Sequence, residues 1–593
     1  MKKLIRLLAL ILAIATVTVT MISCGENIFE SSGNGFLNFG GNQNDTETEK
    51  STDASEKNSS TFDASTCIML FTNGQYTAKV ILPDLASESE KAVHVKMRSE
   101  LKNKTGVNPE YVTDLIPAGS TRDPNETAIL LGKTNYDEST QIANASTYGD
   151  YSLKILNNKI NFYFNTKFEG EELVNTFIRS IKTDKNGSFW IKKDLSVSKQ
   201  ALPQLSGLPR YPANETTLVD CRDNTSMIVA NRTTLTNFQD YCTELEASGF
   251  TLYSSRDNVN GNYFKTYTKG GLAVTAYFAP SSKTARIIAG PTDDIPTKEV
   301  DTTPETVTPS LTLLSQGSRF NNGLGMIYLL PNGKFLIIDG GYVRSNQLMS
   351  KLESLAPDED NITIAAWYIS HPHGDHQQSL VSFVRDYAKK VKIESILYNY
   401  TTSAQYNSVT TGSDGANSAN QLDNNLFKYL DKSTKVIKPH TGQIYSYGST
   451  KVEILYTVED VLPKTLDYLN TSSLVIRVTI GEHSMLALAD TTHVSGDILK
   501  DMFGSYLQSE MVQLAHHGTY PGYASLYETI KGKVLIWPSN LNNAQATITD
   551  NAVATAVKHA SDVYVCNSGD ITLKIPYTII NNKQDFLTSI GRT

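Results

Sequence analysis

Four apolar segments in the C-terminal half of the chain each run directly into an aspartate or a histidine. They read "KFLIID", ending at Asp339; "ITIAAWYIS", before His371; "SMLALAD", ending at Asp490; and "MVQLAH", ending at His516. Apolar runs of this kind are typical of buried strands in an α/β sheet. Ligands of such sheets gather at the carboxyl ends of the strands. The pattern therefore predicts a sheet that carries acids and imidazoles along one edge.

The densest group of these side chains is "HPHGDH", residues 371–376. Neutral imidazoles are good zinc ligands, and alternate residues in a tight turn can direct their side chains to one point. His371 and His373 fit one metal ion, and Asp375 and His376 fit a second, as in two-metal sites that activate water. Nine of the ten histidines lie in residues 310–593, which is where a metal site is expected.

The same part of the chain resembles a known family. "HPHGDH" fits the H-x-H-x-D-H signature of the metallo-β-lactamase fold, and "LIIDGG", "LALAD" and "LAHHG" follow the order of that family's motifs. The run "NTSSLVIRV…LALAD…LAHHG" and the closing "VYVCNSGDITLKI" look most similar to the branch found in bacterial DNA-internalisation proteins and teichoic-acid phosphorylcholine esterases. The match covers about residues 310–580. It implies a C-terminal αββα metallo-β-lactamase fold (310–593). Together with the two small α/β modules that the preceding residues predict, this makes the expected chain an α/β multidomain protein.

The resemblance also implies the metal ligands, four from the signature and two from later strands: His371 and His373 for the first ion, Asp375 and His376 for the second, Asp490 bridging both, and one residue of the pair 516–517. That double histidine leaves two assignments open. The favoured assignment makes His517 the last ligand and leaves His516 to contact the substrate or the transition state. Asp339 is expected to support the site more than to bind metal.

One departure from the family pattern concerns the first ion. The wider family has a further histidine just before the strand that precedes the bridging aspartate, whereas this chain reads "LDYLNTSSLV" there. His440 is the only candidate upstream, and its surroundings look like an ordinary strand and turn. We therefore expect the first ion to be held by fewer protein ligands than usual.

The expected function is metal-dependent hydrolysis of a phosphodiester or phosphoester bond. Two divalent ions, most often zinc and alternatively manganese, would activate a hydroxide, with Asp375 and Asp490 orienting the attacking water. His516 or Tyr520 would stabilise the negative charge that develops. Substrates that suit the resemblance are nucleic acid, a cell-wall polymer or a phospholipid head group. The alternative is a lipoprotein that binds polysaccharide or cell wall and carries a degenerate hydrolase domain.

The N-terminus has the layout of an export signal. Lys2, Lys3 and Arg6 precede an apolar stretch that ends in "MISC", which resembles the lipobox of bacterial lipoproteins. We predict a signal peptide over residues 1–24, lipidation of Cys24, and a location on the extracellular face of the membrane. Residues 25–66 are rich in Ser, Thr, Asn and Gly and are predicted to be a flexible tether.

Two small α/β modules are predicted between the tether and the hydrolase domain. The first, residues 67–200, contains a helix that ends at Gly106 and a hairpin that turns at Asn157-Asn158; it resembles modules appended to carbohydrate-active enzymes and could contact polysaccharide. The second, residues 208–295, precedes a Pro- and Thr-rich linker (296–309). The net charge of −8 gives no general attraction to nucleic acid or anionic lipid. Four cysteines remain, for which buried thiols are favoured over a Cys221–Cys242 bridge.

Overall fold

The computed structural model describes residues 62–117, 120–213, 216–317, 322–400, 425–466, 468–566 and 569–592. The predicted signal peptide with Cys24, and residues 25–61 of the predicted tether, lie outside the described residues. Within the described ranges, no helix combines the length and the apolar character needed to cross a membrane.

The first module is built from two sheets and three helices. Its elements are β1 (Cys67–Thr72), β2 (Gln75–Tyr76), β3 (Ala78–Leu82), α1 (Glu88–Thr105), β4 (Tyr111–Thr113), β5 (Thr127–Leu131), α2 (Asp137–Ala145), β6 (Asp150–Leu156), β7 (Lys159–Tyr163), α3 (Lys167–Ser180), β8 (Lys182–Thr183), β9 (Phe189–Lys192) and β10 (Ser196–Gln200). The larger sheet has the order β10-β6-β7-β5-β3-β4, and the smaller one β2-β1-β9-β8. The predicted ends are confirmed: α1 stops at Gly106, which has φ 76°, and the hairpin turns at Asn157 and Asn158.

The second module is one antiparallel sheet with a helix on one face. Its elements are β11 (Thr216–Asp220), β12 (Ser226–Ala230), α4 (Leu235–Ala247), β13 (Thr251–Val259), β14 (Asn262–Lys269), β15 (Leu272–Ala279) and β16 (Thr284–Pro291), in the sheet order β11-β12-β16-β15-β14-β13. Successive strand residues point to opposite faces. Ile228 packs under α4, whereas Met227 and Tyr277 join the core of the C-terminal domain. The module is therefore integrated with that domain on one face.

Buried polar contacts reinforce this junction. Tyr277 donates a hydrogen bond to Asp460 Oδ1 at 2.6 Å, and Arg286 donates to the backbone carbonyls of Glu459 and Asp460. The predicted linker is also fastened, since the Pro296 carbonyl accepts a hydrogen bond from Tyr253 at 2.7 Å. Composition predicted a linker, but it carried no information on these contacts.

The C-terminal domain contains two large sheets. The elements of its first half are β17 (Ser310–Leu313), β18 (Gly325–Leu329), β19 (Phe335–Asp339), α5 (Ser345–Leu355), β20 (Thr363–Tyr368), α6 (Gly374–Tyr387), β21 (Lys392–Ile393), β22 (Ser395–Leu397) and β23 (Lys435–Ile437). Those of its second half are β24 (Ile444–Tyr447), β25 (Thr450–Tyr456), β26 (Val475–Ile480), β27 (His483–Ala487), α7 (His493–Phe503), β28 (Met511–Gln513), α8 (Ala524–Ile530), β29 (Val534–Trp537), α9 (Leu541–Thr547), α10 (Asn551–His559), β30 (Asp562–Val565), β31 (Ile571–Lys574) and α11 (Lys583–Ser589).

The two sheets pack face to face with helices outside them. The first has the order β23-β22-β20-β19-β18-β17-β31, with β21 beside β20, and the second the order β24-β25-β26-β27-β28-β29-β30. Met326 of the first sheet and Ile476 of the second belong to one apolar core between them. Trp367 packs outward under α5 and α6, and Trp537 packs outward under α7, α8 and α10. This confirms the predicted αββα layers.

The strands stop just short of the predicted ligands. β20, β27 and β28 each end three residues before the residue that the sequence singles out, at Tyr368, Ala487 and Gln513. β19 instead ends on Asp339 itself. The predicted ligands thus lie on short turns just beyond the strand ends of the two sheets.

Candidate metal centre

The turn between β20 and α6 brings the four signature residues together. His371 and His376 are fully buried, and Asp375 and His376 lie in the first turn of α6. The Nε2 atom of His371 lies 3.0 Å from Nδ1 of His373. The rings of His371 and His376 have centroids 4.1 Å apart. Three imidazoles in such proximity are tolerable only if they are neutral or share a cation or carboxylates.

Asp490 supplies the carboxylate between them. Its Oδ1 atom lies 3.2 Å from His376 Nε2, and its Oδ2 atom lies 3.7 Å from His371 Nε2. The preceding residue, Ala489, has a left-handed backbone (φ 49°). Gln513 holds this turn, because its side chain accepts a hydrogen bond from the Ala489 amide and donates one to the Ala489 carbonyl. The strained turn aims the carboxylate at the histidines.

His517 completes the cluster from the second sheet. Its Nε2 atom lies 3.2 Å from Asp375 Oδ2 and 3.5 Å from Asp490 Oδ1. Its Nδ1 atom lies 3.1 Å from the Pro538 carbonyl and 3.3 Å from the Gly323 amide, so the backbone engages Nδ1 and Nε2 faces the carboxylates. The turn needs close packing: a Cβ on Gly518, which has φ 85°, would lie 2.7 Å from Trp537 Nε1.

Two sets of ligand atoms result, and each set lies within 4.8 Å: Asp375, His376, Asp490 and His517; and His371, His373 and Asp490. Asp490 belongs to both sets. His376 Nε2, Asp490 Oδ1 and His517 Nε2 are buried and, despite these short separations, none of them makes a hydrogen bond of acceptable geometry. Buried polar atoms without a partner are costly, and each of these atoms is a normal metal ligand. The residues therefore fit a dinuclear-type divalent metal site.

Asp339 lies behind the cluster and orients it. Its carboxylate accepts hydrogen bonds from the Ser370 amide at 2.8 Å, the Ser370 hydroxyl at 2.7 Å and His376 Nδ1 at 2.7 Å. Its own backbone has φ 55°. Because His376 Nδ1 is engaged by Asp339, its Nε2 atom faces Asp490. This is the arrangement by which a carboxylate fixes the tautomer of a metal-binding histidine.

Electrostatics couple these groups tightly. Burial opposes the charged form of His376, but the carboxylates of Asp490, Asp339 and Asp375 outweigh burial and hold its pKa well above the ordinary value. Burial likewise opposes a charged Asp490, yet the imidazoles of His376 and His517 hold its pKa well below the ordinary value. The Asp490 carboxylate is therefore anionic at neutral pH, and protons on the imidazoles or bound cations must balance its charge.

His516 lies beside the cluster. Its Nε2 atom lies 3.8 Å from Asp490 Oδ2, and its side chain is 29% exposed, compared with 2% for His517. This placement favours the assignment in which His517 is the ligand. Tyr520 lies on the following loop with 76% of its surface exposed.

Sequence reasoning missed Asn470, whose amide nitrogen lies 3.1 Å from His516 Nε2. The only available signal was its place in "LNTSSLV", where the family resemblance led us to expect a histidine. His440 does not fill that position, because it is buried against Glu459 with Nδ1 2.8 Å from the carboxylate. The four described cysteines are free and buried, as favoured.

No protein-family model and no curated protein matches this sequence. Several solved structures are similar. A mutant of the CmlA beta-hydroxylase shares 17% identity over 45% of this chain, with a TM-score of 0.23, and this chain spans 46% of its length. Zn(2+)-bound PqqB from Methylobacterium extorquens shares 12% identity over 44% of this chain and 99% of its own, with a TM-score of 0.29. The short form of human tRNase Z shares 12% identity over 45% of this chain and 99% of its own, with a TM-score of 0.26.

Proposed function

We propose that this chain is an extracellular, membrane-anchored, metal-dependent hydrolase of phosphodiester or phosphoester bonds. The observation that carries the hydrolase proposal is the pair of ligand sets that share Asp490, with three buried ligand atoms that lack hydrogen bonds. The export signal and Cys24 support the location, since lipidation of that cysteine would anchor the chain. The first module is proposed to contact polysaccharide.

The ligand roles follow from the two sets. His371, His373 and Asp490 would hold the first cation, and Asp375, His376, Asp490 and His517 the second. Two divalent cations, zinc or manganese, would when bound lower the pKa of a water molecule toward neutrality and neutralise charge on the ester. Imidazole and carboxylate donors suit both metals.

Exposure divides the cluster into a closed and an open side. His371, His376, His517 and Asp490 are buried, whereas His373, Asp375 and His516 are partly exposed. A substrate therefore approaches the open side. Asp375 on that side can accept a hydrogen bond from the attacking water, so that a lone pair of the water oxygen is directed at the substrate.

His516 is proposed to face the developing negative charge. Burial lowers its pKa, so the imidazole is neutral at physiological pH and adds no positive charge beside the bound cations. Tyr520, on the adjacent loop, is the second candidate for this contact. Its exposed ring would have to fold inward on binding, which makes its contribution dependent on substrate.

The phosphoester preference rests on the sequence resemblance and on chemistry. Two-cation sites suit in-line displacement at phosphorus because they neutralise both the attacking and the leaving oxygen. The net charge of −8 does not favour long-range attraction of a polyanion. We therefore favour a single ester on a cell-wall polymer or head group over long nucleic acid.

The test is turnover of bis(p-nitrophenyl) phosphate and p-nitrophenyl phosphate by metal-loaded protein. We expect His371→Ala and Asp490→Asn to abolish turnover. His559→Ala is the matched control: that imidazole, at the end of α10, pairs with Glu528 of α8, so the change should leave turnover intact. A folded protein that binds cations but turns over neither ester would contradict the proposal and favour a surface-binding lipoprotein with a degenerate site.

A further inference from the structure

The two ligand sets are unequal. The second set has three ligands of its own besides the shared Asp490, whereas the first has only His371 and His373. Two imidazoles and a shared carboxylate make a weak hold for a cation that normally takes four or more ligands. The surroundings of the first set therefore decide whether a further protein atom can contribute.

Residues 469–474 run alongside this first set. The Leu474 amide donates a hydrogen bond to the Ser370 carbonyl at 2.9 Å, next to His371. Ser473 Oγ lies 3.4 Å from His371 Nδ1 and accepts a hydrogen bond from the Asp490 amide at 3.3 Å. The segment is thus fixed to both His371 and Asp490 and lines the first set.

Asn470 lies in a short helical turn of this segment, Leu469–Ser472, with only 7% of its surface exposed. Its Nδ2 atom donates a hydrogen bond to His516 Nε2 at 3.1 Å, which occupies the lone pair of that imidazole. Its Oδ1 atom is buried and makes no hydrogen bond. A buried amide oxygen without a partner is costly unless something satisfies it.

The segment holds this amide in place. The Thr471 carbonyl accepts a hydrogen bond from Tyr456 at 2.6 Å, and the Thr471 hydroxyl lies 3.1 Å from that of Thr492. These contacts fix the backbone next to Asn470, and the hydrogen bond to His516 holds its side chain. Its Oδ1 atom is therefore buried without a hydrogen bond, as are three ligand atoms of the second set.

We propose that the amide oxygen of Asn470 is a ligand of the first cation, beside His371, His373 and Asp490. This inference rests on the proposed function, because it presumes that the cluster binds cations. An amide oxygen is neutral and hard, and such donors suit Mn²⁺ better than a third imidazole would. The first position is then the weaker one and accepts manganese readily.

The test is binding of MnCl₂ alone and ZnCl₂ alone to metal-free full-length protein, by calorimetry and by the electron paramagnetic resonance signal of Mn²⁺. Wild type should show a tight and a weaker site. Asn470→Ala should weaken only the weaker site, by at least about tenfold. Asn470→Asp keeps the oxygen and adds charge, so it should bind at least as tightly as wild type.

The control variant is Asn361→Ala, which removes an exposed amide that donates a hydrogen bond to Asp358 and should leave both affinities unchanged. Unchanged binding by Asn470→Ala would overturn the inference. So would weakening by Asn470→Asp, or a loss in Asn361→Ala equal to that in Asn470→Ala, since the effect would then not be specific to the cluster. Wild-type protein that binds no cation would instead refute the proposed function itself.

Discussion

Replacing Asp339 with asparagine tests whether a residue that belongs to neither ligand set nevertheless supports the site. Asp339 is fully buried and belongs to neither ligand set, yet it accepts three hydrogen bonds from Ser370 and His376. Asparagine has the same size and tolerates the left-handed backbone at this position (φ 55°). The change therefore removes the charge and one acceptor oxygen with little steric effect.

The magnitude follows from these three contacts. A hydrogen bond to a charged group contributes roughly 1.5–3 kcal/mol, and an amide NH₂ in place of one oxygen must face a donor. We expect the free energy of unfolding of the metal-free protein to fall by roughly 2–5 kcal/mol. Because the orientation of His376 is lost as well, affinity for the second cation should fall about 10- to 100-fold.

Chemical denaturation and calorimetric metal titration measure the two effects. Asp386→Asn is the matched control, since that carboxylate is on the surface of α6, where it pairs with Arg385 and Ser345 and contributes at most about 1 kcal/mol. If Asp339→Asn unfolds and binds metal like wild type, the assigned supporting role is wrong.

Three further predictions concern the turn, the module junction and pH. Gly518→Ala should displace the double-histidine turn against Trp537 and lower metal content, and metal content equal to wild type would contradict this close packing. Tyr277→Phe should lower the free energy of unfolding by about 1–3 kcal/mol, because buried Asp460 loses a donor, and unchanged urea denaturation would refute that. The pKa values of His376 and His517 are raised, so both imidazoles keep their protons to a higher pH than an ordinary histidine does. Cations must displace these protons and therefore bind more weakly as pH falls. Calorimetric binding heats that do not depend on the buffer's ionisation enthalpy would contradict proton release.

The sequence predicted what depends on local pattern. Apolar runs that end in acids and histidines gave the strands and the edge at which the cluster lies, and turn residues gave the hairpin at Asn157-Asn158 and the helix end at Gly106. The order of the family-like motifs gave the αββα layers. These features can be predicted from the sequence because strand periodicity and turn residues depend only on neighbouring positions.

Contacts between distant segments were beyond a linear reading. The role of Asn470 depends on how residues 469–474 lie against the β20 turn, and no periodicity reports that. Burial of the second module against the C-terminal domain was missed for a similar reason: Tyr277 and Arg286 sit among ordinary alternating strand residues, and their partners lie more than 170 positions away in sequence. Only the folded chain shows that both faces of that sheet are covered.

Shared binding of two cations by this cluster is proposed to make the chain a hydrolase. The most direct test of this proposal is to strip the purified protein with a chelator and add back Zn²⁺ or Mn²⁺ stepwise while following bis(p-nitrophenyl) phosphate turnover. We predict no turnover without metal and recovery that is complete at two equivalents in wild type, with none in Asp490→Asn. Turnover that survives chelation, or that is equal in Asp490→Asn, would contradict the account.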